Sequence, residues 1–148
     1  MRPKAITLHK MNSEEFNEIC RIVRLPFNTL DILKRYCEMH RHFHTTTHVL
    51  DLLKLMQADV FDSDKERYSF YCAALFHDVC YEPRRKDNET QSELFFGAHY
   101  KPEYESIVNF DLVCELIRGT ALVDDRKASL QVQRFNTYDR LILTKPVD

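Results

Sequence analysis

Residues 70–78 read Phe70-Tyr71-Cys72-Ala73-Ala74-Leu75-Phe76-His77-Asp78, an apolar run that ends abruptly in a histidine and an aspartate. Four of its residues, the last of them His77, follow the i, i+3, i+4, i+7 spacing of a single helix face. The run therefore predicts a helix with His77 on its buried stripe. Asp78 lies one turn after Ala74 and is expected to flank that stripe.

The placement of Asp78 admits two interpretations. A carboxylate at the edge of a core costs several kcal/mol unless a cation or a hydrogen-bond donor meets it, and no Lys or Arg lies nearby in sequence. A bound metal ion would meet that need. The alternative is a helix C-terminus at which His77 contacts the last carbonyl groups and Asp78 faces water.

The composition predicts one mostly helical domain. The chain has 148 residues, of which 44% are hydrophobic and 30% charged, so we expect a single domain over residues 1–148 with a loose lead-in over residues 1–11. Two glycines and the absence of tryptophan favour helices over the turn-dense spacing of an all-β fold. A net charge of −2, without an arginine-rich arm, argues against a nucleic-acid duplex as a partner.

Cysteine usage and the absence of long apolar segments predict a cytoplasmic location. The five cysteines include no Cys-x-x-Cys pair, which is typical of small buried side chains in a reducing compartment. No apolar run approaches the ~20 residues that span a bilayer, and the N-terminus lacks the apolar core of a signal peptide. We therefore expect no membrane partner and a location in the cytoplasm, with the nucleus also open.

Apolar periodicity and capping residues predict about six to seven helices. The pairs Asn12/Glu15 and Ser63/Glu66 have the spacing of capping boxes, and Asn28 and Asn88 are further candidate N-caps. The predicted helices span about 13–24 and 29–39, a third ending near Met56, a fourth from Ser63 to His77-Asp78, about 89–98, one from Pro102 to before Gly119, and a last one opening at Asp124–Asp125.

Two of the other helices also direct metal-competent side chains inward. His48 shares a face with Leu52, and Asp139 lies on an apolar stripe with Phe135 and Ile142. Three separate helices therefore each send such a residue into the core that they would share, and the sequence offers no basic partner for either aspartate. This coincidence favours a metal site over a purely structural role.

The order His48, His77-Asp78, Asp139 resembles the His … His-Asp … Asp signature of the HD superfamily, a group of all-α, metal-dependent phosphohydrolases. The resemblance covers roughly residues 30–144. The segment Phe43-His44-Thr45-x-x-His48 is also similar to the Tyr-His-Asn-x-x-His stretch of cyclic nucleotide phosphodiesterases, where the first histidine donates a proton and the second binds metal. A small branch of the superfamily matches at further positions, which are Arg41, Phe76, Tyr81, Asn88, Glu89 and Ser92.

The resemblance implies an HD-domain-like helical bundle, C-terminally short because members of the superfamily continue well beyond the last aspartate. It also implies a divalent metal ion as cofactor. Two imidazoles and two carboxylates suit Mn, Fe, Co, Ni, Zn or Mg in a site with open positions, where a cation can activate water for attack at phosphorus. The implied ligands are His48, His77, Asp78 and Asp139.

Further candidates surround this proposed site. His44 would protonate the leaving oxygen, or it contacts the metal ligands from behind or faces solvent. Glu82 and Glu89 would orient the attacking water or bind a second cation, or they are plain surface acids. The basic loop after the dipeptide would contact substrate phosphate, or it is simply solvated. The substrate-binding candidates are Arg41, Arg84, Arg85, Lys86 and Asn88.

These observations support three hypotheses of different classes. The first is a metal-dependent phosphohydrolase that acts on a small phosphate ester, with nucleotides as the favoured class. The second is a catalytically impaired metal-binding or regulatory protein with an HD fold, and the third is a helical scaffold without metal. A homodimer is a further hypothesis, because a short C-terminus would leave apolar surface exposed.

Overall fold

The computed structural model describes residues 13–25, 27–37 and 45–143. Within these ranges the fold consists of seven α-helices and one short 3-10 turn without any strand, so the predicted all-α class is confirmed. The helices are α1 (Ser13–Val23), α2 (Thr29–Arg35), α3 (Thr46–Gln57), α4 (Asp64–Phe76), α5 (Asn88–His99), α6 (Phe110–Gly119) and α7 (Leu130–Leu143), and the 3-10 turn is Pro102–Ser106.

The helix α4, formed by the apolar run, is the central helix of the bundle. It packs against α3, α5 and α6 and against the N-terminal pair α1 and α2, while α7 covers α3 and α6. All eight residues from Ser69 to Phe76 are buried. Because α4 is surrounded by other helices, the residues that follow its last turn are held by the core of the protein.

Two of the predicted N-caps form. The Asn28 side chain accepts a hydrogen bond from the backbone N–H of Asp31 at 3.3 Å, and Ser63 Oγ accepts one from the N–H of Glu66 at 3.0 Å. The other half of the predicted capping box is shifted by one residue. In a capping box the Glu66 carboxylate accepts the N–H of the N-cap residue Ser63, but here it accepts the N–H of Asp62 at 3.2 Å. Local side-chain chemistry therefore starts both helices where the sequence predicts.

The segment after Pro102 forms two elements, and the prediction of one helix there is wrong. Its first residues form the 3-10 turn, and α6 begins afterwards. Asn109 starts α6 because its side chain accepts the backbone N–H of Leu112 at 3.1 Å, while its own N–H donates to Ser69 Oγ of α4 at 2.8 Å. An N-cap within the predicted helix therefore divides it.

The last helix begins later than predicted. It starts at Leu130 and not at Asp124–Asp125, because Ser129 Oγ accepts the backbone N–H of Val132 at 3.2 Å and so caps it. The second of the two aspartates forms an ion pair with Arg140 of α7 instead. The helix α2 also ends earlier than predicted, at Arg35.

Contacts at the end of α3 fix the position of α7. The Tyr138 hydroxyl donates to the Asp59 carboxylate, which also pairs with Arg134 at 3.2 Å. The Arg134 guanidinium lies 4.0 Å from the centre of the Phe61 ring. These hydrogen bonds, the strongest from Tyr138, lower the pKa of Asp59 to about 2. The helix α7 is thereby held against α3.

We expect replacement of Gly119 by alanine to destabilise the contact between α6 and α7. A Cβ atom at this buried position would lie 2.5 Å from Val132 Cγ1 and 3.2 Å from its Cγ2. Overpacking of this kind typically costs about 1–3 kcal/mol, which urea unfolding would measure. Gly97→Ala is the matched control: a Cβ there meets nothing within 4 Å, and alanine should stabilise the helix by up to about 1 kcal/mol. Equal stability of Gly119→Ala and wild type would contradict the packing.

The predicted location depended on the cysteines and on the absence of long apolar segments. All five cysteines are free; three of them are buried and two partly buried. Among the described residues, no helix has the length and apolar character required to cross a bilayer. The cytoplasmic location stays a prediction.

Candidate metal centre

Three helices bring the predicted ligands together at the end of α4. His48 lies in the first turn of α3, His77 directly follows α4, and Asp139 lies on α7. His48 Nε2 is 2.9 Å and His77 Nε2 3.5 Å from the same oxygen, Asp139 Oδ1. Ligand atoms of these three residues all lie within 4.8 Å of one another. The fourth predicted ligand, Asp78, lies next to this group but is not a member of it: its Oδ2 is 3.1 Å from His77 Nε2 and 3.9 Å from His48 Nε2.

The His77 ring directs an unbonded nitrogen into this centre. Its Nδ1 is 2.8 Å from the Ala74 carbonyl oxygen, which can only accept, so Nδ1 carries the proton of that bond. Its Nε2 is buried and makes no hydrogen bond with any described residue, although oxygens of Asp78 and Asp139 lie 3.1 Å and 3.5 Å from it. In the neutral ring this places a lone pair opposite two carboxylates, which is unfavourable unless a cation lies between them. A backbone bond at Nδ1 is also typical of histidines that bind metal through Nε2.

The centre is closed on one side and open on the other. The side chains of His77 and His48 are only 1% and 4% exposed, whereas those of Asp78 and Asp139 are 18% and 19% exposed. The buried rings would fix a cation from the core side, and the carboxylates border solvent. An ion bound here would keep coordination positions for water or substrate, which distinguishes catalytic from structural sites.

Burial and charge oppose each other in the protonation of this centre. Burial alone would lower the pKa of His77, but the carboxylates of Asp78 and Asp139 raise it well above its usual value. Burial would raise the pKa of Asp139, but the hydrogen bond with His48 and the nearby imidazoles of His48 and His77 hold it well below its usual value. In the absence of metal, a proton on His77 thus balances ionised carboxylates. A metal ion would compete with that proton.

We therefore expect the metal-free protein to lose stability as pH rises. The carboxylates that raise the pKa of His77 stabilise the folded state. This stabilisation is complete below pH 6.5, the pKa of histidine in the unfolded chain, and is lost as the pH rises through the pKa of His77 in the folded state. The imidazoles that lower the pKa of Asp139 also stabilise the folded state. This second contribution is complete above pH 3.8, the pKa of aspartate in the unfolded chain, and is lost as the pH falls through the pKa of Asp139 in the folded state. Thermal unfolding in excess chelator, from about pH 5 to about pH 9, measures the alkaline loss. Asp139→Asn should flatten that slope, and an unchanged slope would contradict the assignment.

Tyr36, at the end of α2, connects that helix to the centre. Its hydroxyl donates to the Leu75 carbonyl at 2.7 Å and accepts the backbone N–H of Asp78 at 3.2 Å. It is buried and fixes the turn in which the two adjacent candidate ligands lie. The sequence predicts only that Tyr36 lies within the helix over about 29–39, because nothing local indicates a hydrogen bond to residues about 40 positions away.

We expect Tyr36→Phe to weaken both the fold and metal binding. The substitution removes one hydroxyl and leaves a buried N–H and a carbonyl group without this partner, which costs about 1–3 kcal/mol in urea unfolding. Disturbing a group that orients ligands typically lowers metal affinity about 10–100-fold, as a metal titration would show. Tyr68→Phe is the control, since the structure shows no hydrogen bond of the Tyr68 hydroxyl to a described residue. A loss of stability with unchanged metal affinity would restrict Tyr36 to a structural role.

Most remaining candidates lie in the loop that follows the centre. Glu82 is exposed and Glu89 half-buried, and neither belongs to the close group of ligand atoms. Arg85 forms a two-pronged contact with Asp87 at 2.8 Å on each side, which occupies its guanidinium. Arg84 and Lys86 are exposed. Their proposed roles in catalysis and substrate binding stay predictions.

Asn88 does not cap α5, so that prediction is wrong. The helix begins at Asn88 itself, and the Asn88 side chain holds the preceding loop instead. Its Oδ1 accepts the N–H of Glu82 at 3.0 Å, and its Nδ2 donates to the carbonyls of Glu82 at 3.0 Å and Arg85 at 3.4 Å. These bonds use both ends of the amide within the loop.

Three other predicted residues lie outside the described part of the chain. They are the proposed proton donor His44, the proposed phosphate ligand Arg41 and the proposed cap Asn12. Their roles stay predictions.

Comparison of the chain with protein-family models, with curated proteins and with solved structures found no match. The geometry of the centre and the sequence pattern are therefore what supports a function.

Proposed function

We propose that this protein is a metal-dependent phosphohydrolase of the HD type that hydrolyses a small phosphate ester, with nucleotides as the favoured class. The observation that carries the proposal is the buried Nε2 of His77, which faces two carboxylates and makes no hydrogen bond within the described part of the chain. A divalent cation is the group that such a donor set accommodates. The order of the ligands along the chain adds the resemblance to the HD superfamily.

In this proposal each residue of the centre has a defined task. His77 and His48 would hold the cation through their buried nitrogens, and Asp78 and Asp139, which border solvent, would neutralise its charge. When bound, the cation supplies Lewis acidity toward water and toward a phosphoryl oxygen. The Ala74 carbonyl keeps His77 in the required tautomer, and Tyr36 holds the backbone of Asp78. His44 is the proposed donor of the proton to the leaving oxygen.

Elemental analysis of the purified native protein is the first test, because it separates a metal protein from a metal-free helical scaffold. We expect close to one equivalent of a divalent transition metal or magnesium per chain. Absence of metal after purification, together with no binding when Mn²⁺, Ni²⁺, Zn²⁺ or Mg²⁺ is titrated in, would reject the centre.

The second test separates an enzyme from a metal-binding protein without activity. Metal-loaded protein is assayed against nucleoside monophosphates, nucleoside diphosphates, cyclic nucleotides and p-nitrophenyl phosphate, with each metal added in turn. We expect hydrolysis of at least one substrate that stops on chelation and returns on readdition of metal. Stoichiometric metal with no turnover of any substrate would favour the regulatory hypothesis.

A further inference from the structure

A pocket of about 250 Å³ is lined in part by the loop that follows the candidate ligand Asp78. It lies between the end of α2, the loop that follows Asp78 and the first turn of α5. Cys80, in its wall, is two residues from the candidate ligand Asp78, so their Cα atoms are at most about 7 Å apart. The lining residues are Arg35, Cys80, Tyr81, Glu82, Arg85, Asn88 and Gln91.

Arg35 supplies an unneutralised positive charge to this pocket. Its guanidinium lies 3.6 Å from Cys80 Sγ and 5.2 Å from the centre of the Phe95 ring, and it forms no ion pair with any described residue. The other lining arginine, Arg85, is paired with Asp87. Glu82 also lines the pocket but forms no ion pair with Arg35. Arg35 is therefore positioned by its contacts while its charge stays available.

The walls of the pocket are held by side-chain bonds to the backbone. Buried Ser92 of α5 accepts the N–H of Cys80 at 3.1 Å and donates to the Cys80 carbonyl at 3.2 Å. Asn88 fixes the next part of the loop in the same way. A ligand would thus enter a pocket whose walls are formed in advance, which lowers the entropy cost of binding.

We infer that this pocket is an anion subsite of the metal centre and that Arg35 binds a second phosphate group of the substrate. The guanidinium offers a planar set of donors that matches two phosphate oxygens, and its contacts with described residues are a weak sulfur contact and an aromatic face. The inference rests on the proposed function, since the first phosphate would occupy the metal centre. It restricts the substrate class to phosphate compounds that carry a second phosphate group.

Binding of methylenebisphosphonate to the metal-loaded full chain tests this inference, because the probe carries two anionic groups and is not hydrolysed. By titration calorimetry with Mg²⁺ in constant excess, we expect Arg35→Gln to weaken its affinity about 10–100-fold, the size of a lost charge-assisted contact. Affinity for methylphosphonate, which has one anionic group, should not change. Lys34→Gln, which removes a charge from the next residue of the same helix, should leave both affinities unchanged.

Three outcomes would overturn the subsite. In the first, wild type does not bind methylenebisphosphonate. In the second, Arg35→Gln binds it with the affinity of wild type. In the third, Arg35→Gln loses affinity for methylenebisphosphonate and for methylphosphonate by the same factor. The result of this binding experiment can be distinguished from the result of the hydrolysis assay. Turnover by wild type with binding that does not depend on Arg35 would reject the subsite alone. Binding that depends on Arg35 without turnover of any substrate would reject the hydrolase and retain the anion site.

Discussion

Replacing His77 by alanine should lower metal affinity by about 100-fold or more and remove the proposed hydrolysis, since even groups that only orient ligands account for about 10–100-fold. The ring provides the most buried donor of the centre, and its Nε2 lies 3.1 Å and 3.5 Å from oxygens of the two aspartates. Without the imidazole of His77, the negative charges of Asp78 and Asp139 would repel each other, and His48 would be the one remaining histidine of the centre. Metal content after purification and turnover in added metal measure the two effects.

The control for this variant is His99→Ala. His99 also directs Nδ1 to a backbone carbonyl, that of Phe95 at 2.9 Å, but it is exposed at the end of α5 and no carboxylate of the described residues pairs with it. It should keep full metal content and activity. Because His77→Ala also opens a hole in the core, Asp139→Asn provides a second variant of nearly unchanged shape, with the exposed Asp124→Asn as its own control. Retention of metal and of turnover by both His77→Ala and Asp139→Asn would reject the centre.

Removing the metal should produce the second large effect, a loss of stability. A ligand that binds only the folded state stabilises it by about 4 kcal/mol at a free concentration one thousand times its Kd. For a chain of this length, that corresponds to a decrease of roughly 10 °C in Tm when metal-saturated protein is treated with chelator. Differential scanning calorimetry at constant pH measures the difference. Readdition of metal should restore the original Tm.

The Asp139→Asn variant shows whether this effect arises at the proposed centre. With one carboxylate neutralised, the difference in Tm between metal-saturated and chelated protein should largely disappear. A difference as large as that of wild type would place the stabilising ion elsewhere in the molecule. An identical Tm for wild type with metal and with chelator would contradict metal binding by the folded state at the concentration tested.

The helices of this fold could largely be predicted because helix formation depends on neighbouring residues. The apolar run of α4 is buried along its whole predicted length, and Asn28 and Ser63 cap the helices that they precede. The wrong boundaries arose where several cap residues compete. Asn109 and Ser129 start α6 and α7, although Pro102 and Asp124–Asp125 had equally good local patterns.

The candidate centre could be predicted in its residue types but not in its surroundings. An aspartate or histidine on an apolar face is visible from periodicity alone, so the inward direction of His48, His77 and Asp139 was expected. The hydroxyl of Tyr36 and the guanidinium of Arg35 have no such signal. Tyr36 reaches the backbone of Asp78, and Arg35 reaches Cys80, only because α2 packs beside the end of α4.

Most of the helices and the faces that they bury can be predicted from local patterns, because residues three and four apart share a face in any α-helix. The packing of α3 against α7 is what places His48 Nε2 2.9 Å from an oxygen of Asp139, 91 residues later in the chain. The packing of α2 also places Arg35, which forms no ion pair with any described residue, 3.6 Å from the Sγ of Cys80, two residues after Asp78. Such distances result from the simultaneous packing of all helices, in which every side chain of the core takes part, and no local pattern contains them.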